Sequence, residues 1–365
     1  MTASILDNPK RHRDLDAGLM HDAIAAFPEH LERSLRLPGE IDWSAQKPTT
    51  PQGVCIFGMG GSAIGGDLAR SYWEAESPIP IVVVRNHRLP AFINGHWFVI
   101  ASSYSGNTEE VLAAVAEAAR RGCRRILALA SGGQLAALAQ EHRWPLIRLP
   151  NGLMPRAALG YSFGGVMLAM AHWGVAGNNP SVLLSALTSE LLATSSFLAG
   201  RVSLLDRACP LERNPAKQAA ANVAGRIVAV LGTSGTTDVI AARIKTQLCE
   251  NSKALAFANA FPEVTHNEIV GLAAFGNASE RLAVIILSSE DDHPAAVAQQ
   301  EAFQRMMRDF QIPFVRLRAE GHGRLDRMFS LVQIGDFMSY HLAILNGQDP
   351  SPIAAIDTLK RSLVP

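Results

Sequence analysis

Residues 50–150 alternate short, continuous apolar runs with stretches of helical spacing, and this pattern leaves few folds open. The runs are Val54-Cys55-Ile56-Phe57, Ile79 to Val84, Trp97 to Ala101, Arg125 to Leu129 and Leu146 to Leu149. Helices through Arg70 and over 109–121 and 134–142 lie between them. A strand that is apolar on both sides needs cover on both sides, and a parallel sheet between two helical layers provides it. The alternation returns at Ile227 to Leu231, Leu282 to Leu287 and Pro313 to Leu317, with helices over 238–249 and 294–308. In each half an apolar strand runs into a Gly/Ser/Thr-rich turn and then a helix. The expected class is α/β, with two doubly wound parallel-sheet domains that repeat in architecture without close sequence identity.

A chain of 365 residues that is 48% hydrophobic can fill two such cores. The expected division is an N-terminal helical segment over 1–50, a first sheet domain over 51–150, connecting helices over 151–200, a second sheet domain over 201–325 and C-terminal helices over 326–365. One helix is expected over 14–37, where Leu19, Met20, Ile24, Phe27, Leu31 and Leu35 recur at helical spacing, with Pro28 kinking or splitting it. Lysine plus arginine equals aspartate plus glutamate, 33 each, which gives no electrostatic case for nucleic acid or a membrane surface. Cys55, Cys123, Cys209 and Cys249 stand singly, as free thiols of a reducing compartment do. Met1 to Arg13 is polar and mixed in charge, unlike a signal peptide. The apolar stretch Phe163 to Ala176 contains His172 and is too short to span a bilayer, so a soluble, cytoplasmic protein is expected.

Ser103-Tyr104-Ser105-Gly106-Asn107-Thr108 follows one apolar strand and precedes a helix that opens with Glu109 and Glu110. Hydroxyls at 103, 105 and 108, with the free N–H groups of the helix start, can converge on one anion. Thr108 alone would serve as an ordinary cap, but a cap needs one hydroxyl and three are present. Gly58-x-Gly60-x-x-Ala63 after the first strand also fits a dinucleotide fingerprint. The next strand, however, ends at Val84-Arg85, where a nicotinamide cofactor would want an acid. Gly65-Gly66 inside the following helix indicates close backbone packing, and two adjacent Gly/Ser loops suit one compact sugar phosphate. In the second half, Gly232 to Thr237 reads as capping, with Thr233, Ser234 or Thr236 as the cap and no second phosphate.

The densest polar stretch is Glu250-Asn251-Ser252-Lys253 followed by Pro262-Glu263-x-x-His266-Asn267. Glutamate and histidine together can move protons near neutrality. The stretch lacks paired-histidine spacing, so no metal is expected. Pro155-Arg156 opens a helical region, and Lys360 lies in the last helix; by position alone each is an ordinary surface or paired cation.

Taken in order, Gly58-Met59-Gly60-Gly61-Ser62, the 103–108 loop, Pro155-Arg156-Ala157, Glu250 to Lys253 and Pro262 to Asn267 resemble the bifunctional phosphoglucose/phosphomannose isomerase family. The resemblance runs from Phe27-Pro28-Glu29 to Asp349-Pro350-x-Pro352 and Leu359-Lys360, nearly the whole chain. It implies that both sheet domains are sugar isomerase (SIS) domains of flavodoxin-like type. It implies aldose–ketose isomerisation of hexose 6-phosphates through a cis-enediol, with no cofactor. Gly61, Ser62, Ser103, Ser105 and Thr108 would bind the phosphate and fix the sugar. Glu250 would be the base between C1 and C2, and Arg156 would stabilise the enediolate. His266, from the other subunit of a homodimer with a shared active site, would open the ring, assisted by Lys360. Two alternatives stay open: an SIS-type phosphosugar-binding protein without turnover or with another specificity, and a nicotinamide enzyme.

Overall fold

The computed structural model describes residues 2–41, 43, 51–176, 179–275 and 278–362. Part of the expected N-terminal segment, 44–50, lies outside them. The chain forms two compact units, one of Ala26–Ala199 with Gly323–Leu325, the other of Met1–Ala25, Gly200–His322 and Asp326–Pro365. Each is an α/β sandwich around one parallel sheet.

In the first unit the strands are β1 (Gly53–Phe57), β2 (Ile81–Val84), β3 (Trp97–Ser102), β4 (Arg125–Ala130) and β5 (Leu146–Arg148). Among the described residues they pair in parallel in the order β2-β1-β3-β4-β5. Every residue of β1 and β3 is buried, as the continuous apolar runs require. Helices Gly60–Trp73, Glu109–Arg120, Gly133–His142 and Leu159–His172 cover the faces. Gly65 lies against Ser162 and Phe163 of the last of these, and Gly66 against Ile56 of β1, the close packing expected of the pair. The strand order reverses between β1 and β3. A crevice therefore opens outside their carboxyl ends, where open α/β sheets bind ligands.

In the second unit the strands are β6 (Ile227–Thr233), β7 (Ala256–Phe261), β8 (Leu282–Ser288) and β9 (Phe314–Arg318), parallel in the order β7-β6-β8-β9. Their reversal lies between β6 and β8. The edge strand β7 escapes the apolar pattern because Phe257 and Ala258 face outward and Asn259 interrupts it. Helix Arg324–Leu345 is long and apolar enough to cross a bilayer, as is Pro180–Leu205, but 94% of its apolar window is buried as the core of this unit. Phe329, Phe337 and Tyr340 on it are fully enclosed.

The expected single helix over 14–37 is instead three: Pro9–Leu15, Met20–Ala25 and Phe27–Ser34. Asp16 ends the first and caps the second, accepting from Met20 N at 2.7 Å and His21 N at 3.0 Å, while Leu19 takes a left-handed φ of 54°. Pro28 does not kink a helix. It sits in the first turn of one, where its missing N–H is not needed.

Candidate active site

The hydroxyl loop leaves β3 at the strand-order reversal of the first unit. Ser103 is buried, and its N–H donates to Leu129 O at 2.9 Å, continuing the sheet for one residue. Its Oγ lies 2.8 Å from Thr108 Oγ1 and accepts from Gly106 N at 3.1 Å. Gly106 is required: its φ is +71°, and a Cβ there would fall 1.9 Å from Gly132 O. Ser105 is exposed and accepts from Asn107 N at 3.3 Å.

Thr108 occupies the cap position of helix Glu109–Arg120 but does not cap it; among the described residues no side chain does. Its hydroxyl is turned to Ser103 instead. The simple capping reading of this loop therefore fails, and the first N–H groups of the helix are left for another acceptor.

The start of helix Gly60–Trp73, which follows β1, is tied to the β3 loop by a bond from Tyr104 N to Ser62 Oγ at 3.1 Å. Gly61 approaches the chain from the other side. A Cβ on it would lie 2.9 Å from Pro155 O and 3.1 Å from the Arg156 Cα. This packing holds the short 3-10 turn Pro155–Ala157, and Arg156 in it is buried. Arg85, at the end of β2, is ion-paired with Asp67. A cation thus stands where a nicotinamide cofactor would want a carboxylate. In this unit Gly61 and Ser62 lie in the first turn of helix Gly60–Trp73, Ser103, Ser105 and Thr108 in the β3 loop, and Arg156 in the turn packed on Gly61.

In the second unit, Glu250 is the half-buried last residue of helix Asp238–Glu250. Two sets of bonds fix that helix to the core helix Arg324–Leu345. Arg243 makes a buried bidentate pair with Asp336, Nε to Oδ1 at 3.1 Å and Nη2 to Oδ2 at 2.8 Å. Burial pushes the Asp336 carboxyl up, against the pull of the guanidinium. Beyond the helix end, Asn251 Nδ2 donates to Ser339 Oγ at 2.9 Å and Ser252 Oγ to Ser339 O at 2.6 Å. Lys253 takes a left-handed φ of 53°, and its ammonium donates to Glu250 O at 2.9 Å and Asp349 O at 2.6 Å. The backbone at Glu250 is therefore held from both sides.

His266 is exposed and ends the 3-10 turn Glu263–Thr265, its N–H donating to Glu263 O at 2.9 Å. Asn267 Nδ2 donates to Glu263 Oε1 at 2.5 Å. Lys360 is exposed on Ala354–Ser362, a helix with no buried residue. Tyr104 and Lys253 were not singled out by their type. The signal for Tyr104 is an aromatic residue set between two serines of a polar loop; Lys253 carries no pattern of its own.

The second unit's own loops differ from the capping expected of them. The helix after Gly232 to Thr237 has Thr237 at its cap position, with no side-chain bond from it to the helix N–H groups. Thr237 Oγ1 accepts from Thr233 N at 2.8 Å, Gln300 Nε2 donates to Thr233 Oγ1 at 2.8 Å, and Thr236 Oγ1 donates to Asp292 Oδ1 at 2.5 Å. Asp292, 6% exposed, also accepts from Ser289 N at 2.9 Å and Gln300 Nε2 at 3.2 Å. The competitor for the cap residues is a carboxylate from the loop after β8, remote in sequence.

The fold is α/β, with one parallel sheet in each of two units and loops at the carboxyl ends of the strands. Tagatose-6-phosphate ketose/aldose isomerase from Escherichia coli shares that fold at a TM-score of 0.67, over 91% of this chain and 94% of its own, with 15% identity. Residues 212–363 match the family model of the bacterial phospho-glucose isomerase C-terminal SIS domain. The chain belongs to the bifunctional phosphoglucose/phosphomannose isomerase family. The member from Caldicellulosiruptor bescii is 34% identical over 344 residues, covering 94% of this chain and 98% of the relative. The member from Aquifex aeolicus is 31% identical over 327 residues, 89% of this chain and 95% of the relative.

Proposed function

We propose that this enzyme interconverts glucose 6-phosphate and mannose 6-phosphate with fructose 6-phosphate through a cis-enediol. One observation carries the reading: the Thr108 hydroxyl pairs with that of Ser103 rather than accepting from its own helix. The Ser103–Thr108 pair and the uncapped N–H groups then form a seat for a dianionic phosphate. Ser105, Ser62 and Gly61 complete it, Gly61 by letting the Arg156 turn come close.

Glu250 removes the proton from C2 of the aldose and returns it at C1. The aldoses differ only at C2 and share the enediol once that carbon is deprotonated, so one carboxylate serves both substrates. Arg156 stabilises the enediolate oxygens, which is where preorganised charge lowers a barrier most. His266 and Lys360 open the sugar ring. Both are exposed within one chain. In the sequence on either side of His266, Phe257, Val270 and Phe275 are 59%, 70% and 45% exposed. This supports a homodimer in which a second copy covers the face and shares the site. The protein acts in the cytoplasm, with a hexose 6-phosphate as its partner.

The test is a coupled assay on glucose 6-phosphate and on mannose 6-phosphate, run in EDTA. Turnover of both, lost together in Glu250→Gln, is the expected result. Full activity of that variant on either sugar would remove Glu250 as the base.

A further inference from the structure

Tyr104 lies inside the hydroxyl loop yet contributes nothing to it through its ring. The phenol is buried, and its hydroxyl donates to Pro150 O at 2.7 Å while accepting from Leu153 N at 2.9 Å. These are the C=O and N–H that a four-residue turn over 150–153 would pair directly. The tyrosine hydroxyl stands between them and fixes the width of the turn. The tyrosine backbone is tied as firmly. Its N–H donates to Ser62 Oγ at 3.1 Å, and its carbonyl accepts from Ser131 N at 2.9 Å and Ser131 Oγ at 2.7 Å.

From Leu153 the path to Arg156 is short and stiff. Met154 is extended, as a residue before proline must be, and Pro155 fixes the next φ. Ala157 N closes the turn onto Met154 O at 2.8 Å. On its other side the turn rests on Gly61. The Arg156 backbone is thus set between a glycine that permits approach and a phenol that limits it.

We propose that Tyr104 is a positioning residue for Arg156: it links the register of the phosphate loop to the placement of the guanidinium. The inference rests on the role given above to Arg156. A phosphate seated on Ser103 and Thr108 and the backbone that leads from Leu153 to Arg156 are both tied to Tyr104, so the sugar oxygens and the cation are held in a fixed relation. Misplacement of a catalytic group by about 1 Å can cost on the order of a hundredfold in rate.

The experiment is Tyr104→Phe, which keeps the ring and removes only the bridge. Its kcat should fall roughly tenfold or more, while KM for fructose 6-phosphate and the inhibition constant of inorganic phosphate stay near those of the wild type. In an Arg156→Ala background the same change should have no further effect on kcat. Unchanged kcat in Tyr104→Phe, a loss confined to KM and phosphate inhibition, or multiplicative losses in the double variant would overturn the proposal. A fully active Arg156→Ala single variant would instead remove the reading of Arg156 itself. Matching thermal unfolding of the Phe variant and wild type separates positioning from general destabilisation, and Tyr104→Trp, which keeps an aromatic but cannot make both bonds, should repeat the kcat loss.

Discussion

The loop after β3 and the loop after β8 hold the same place in their two sheets. Each leaves the strand beside the reversal of strand order, each begins with a serine, and each leads into a helix. Their chemistry is opposite. The first carries Ser103, Ser105, Gly106 and Thr108. The second carries Ser289, Glu290, Asp291 and Asp292. Asp292 takes up the Thr236 hydroxyl and the Ser289 N–H, the donors that could have faced an anion. Arg327 binds the other two acids, Nη1 to Glu290 at 2.8 Å and Nη2 to Asp291 at 2.7 Å. Topology supplies a crevice in both units; the side chains leave hydroxyls and uncapped N–H groups open in the first and fill the second with carboxylates.

The largest expected effect tests whether the second unit gives chemistry rather than anchorage. Glu250→Gln should lower kcat by roughly 10²–10⁴-fold, the usual range for a lost general base, with KM little changed in steady-state assays. A KM effect of that size instead would collapse the contrast. The converse variant, Ser103→Ala with Thr108→Ala, should raise KM at least about tenfold, since hydrogen bonds to charged groups contribute about 1.5–3 kcal/mol each. Its kcat should move less.

Asp292→Ala should destabilise by about 1–3 kcal/mol, because Ser289 N and Thr236 lose a buried acceptor. Thermal or urea unfolding measures this, and kcat/KM should stay close to wild type. A large activity loss at unchanged stability would mean that the acidic loop serves the reaction directly.

The smallest effect concerns acid. Burial lowers the His172 pKa in the first unit to about 4 from 6.5, and holds His341 in the second unit well below 6.5. As pH falls below 6.5 the unfolded chain takes up protons that these folded sites refuse, so stability is full above that pH and declines beneath it. The His172 part is lost by about pH 4. His172→Phe, which keeps a ring against Trp43, should melt with a shallower pH dependence between these limits. An identical slope would show that His172 carries none of it.

Much of the architecture was legible, because strands buried on both faces must be apolar along nearly their whole length, as β1 is and as β3 and β8 are up to their closing serines. β7 was hidden by its position at an edge, where Phe257 and Ala258 meet solvent and no continuous run is needed. The break at Asp16 was hidden because the residues on both sides keep helical spacing. The carboxylate bonds to Met20 and His21 and the left-handed Leu19 distinguish two helices from one. Three hydroxyls at 103, 105 and 108 were legible as more than one cap uses, but the pairing of Ser103 with Thr108 was not. The fate of Thr233 and Thr236 was not, because their partners Gln300 and Asp292 are distant in sequence.

Asp292 has a consequence for how the two repeats could diverge. A carboxylate tethered in the chain is present at an effective concentration on the order of millimolar or more, and it never dissociates. Free phosphate competes with it at a standing disadvantage, whatever the metabolic state of the cell. If the first crevice seats phosphate as proposed, one aspartate makes the second deaf to the same metabolite and leaves that unit free to change around Glu250 without having to keep a ligand seat.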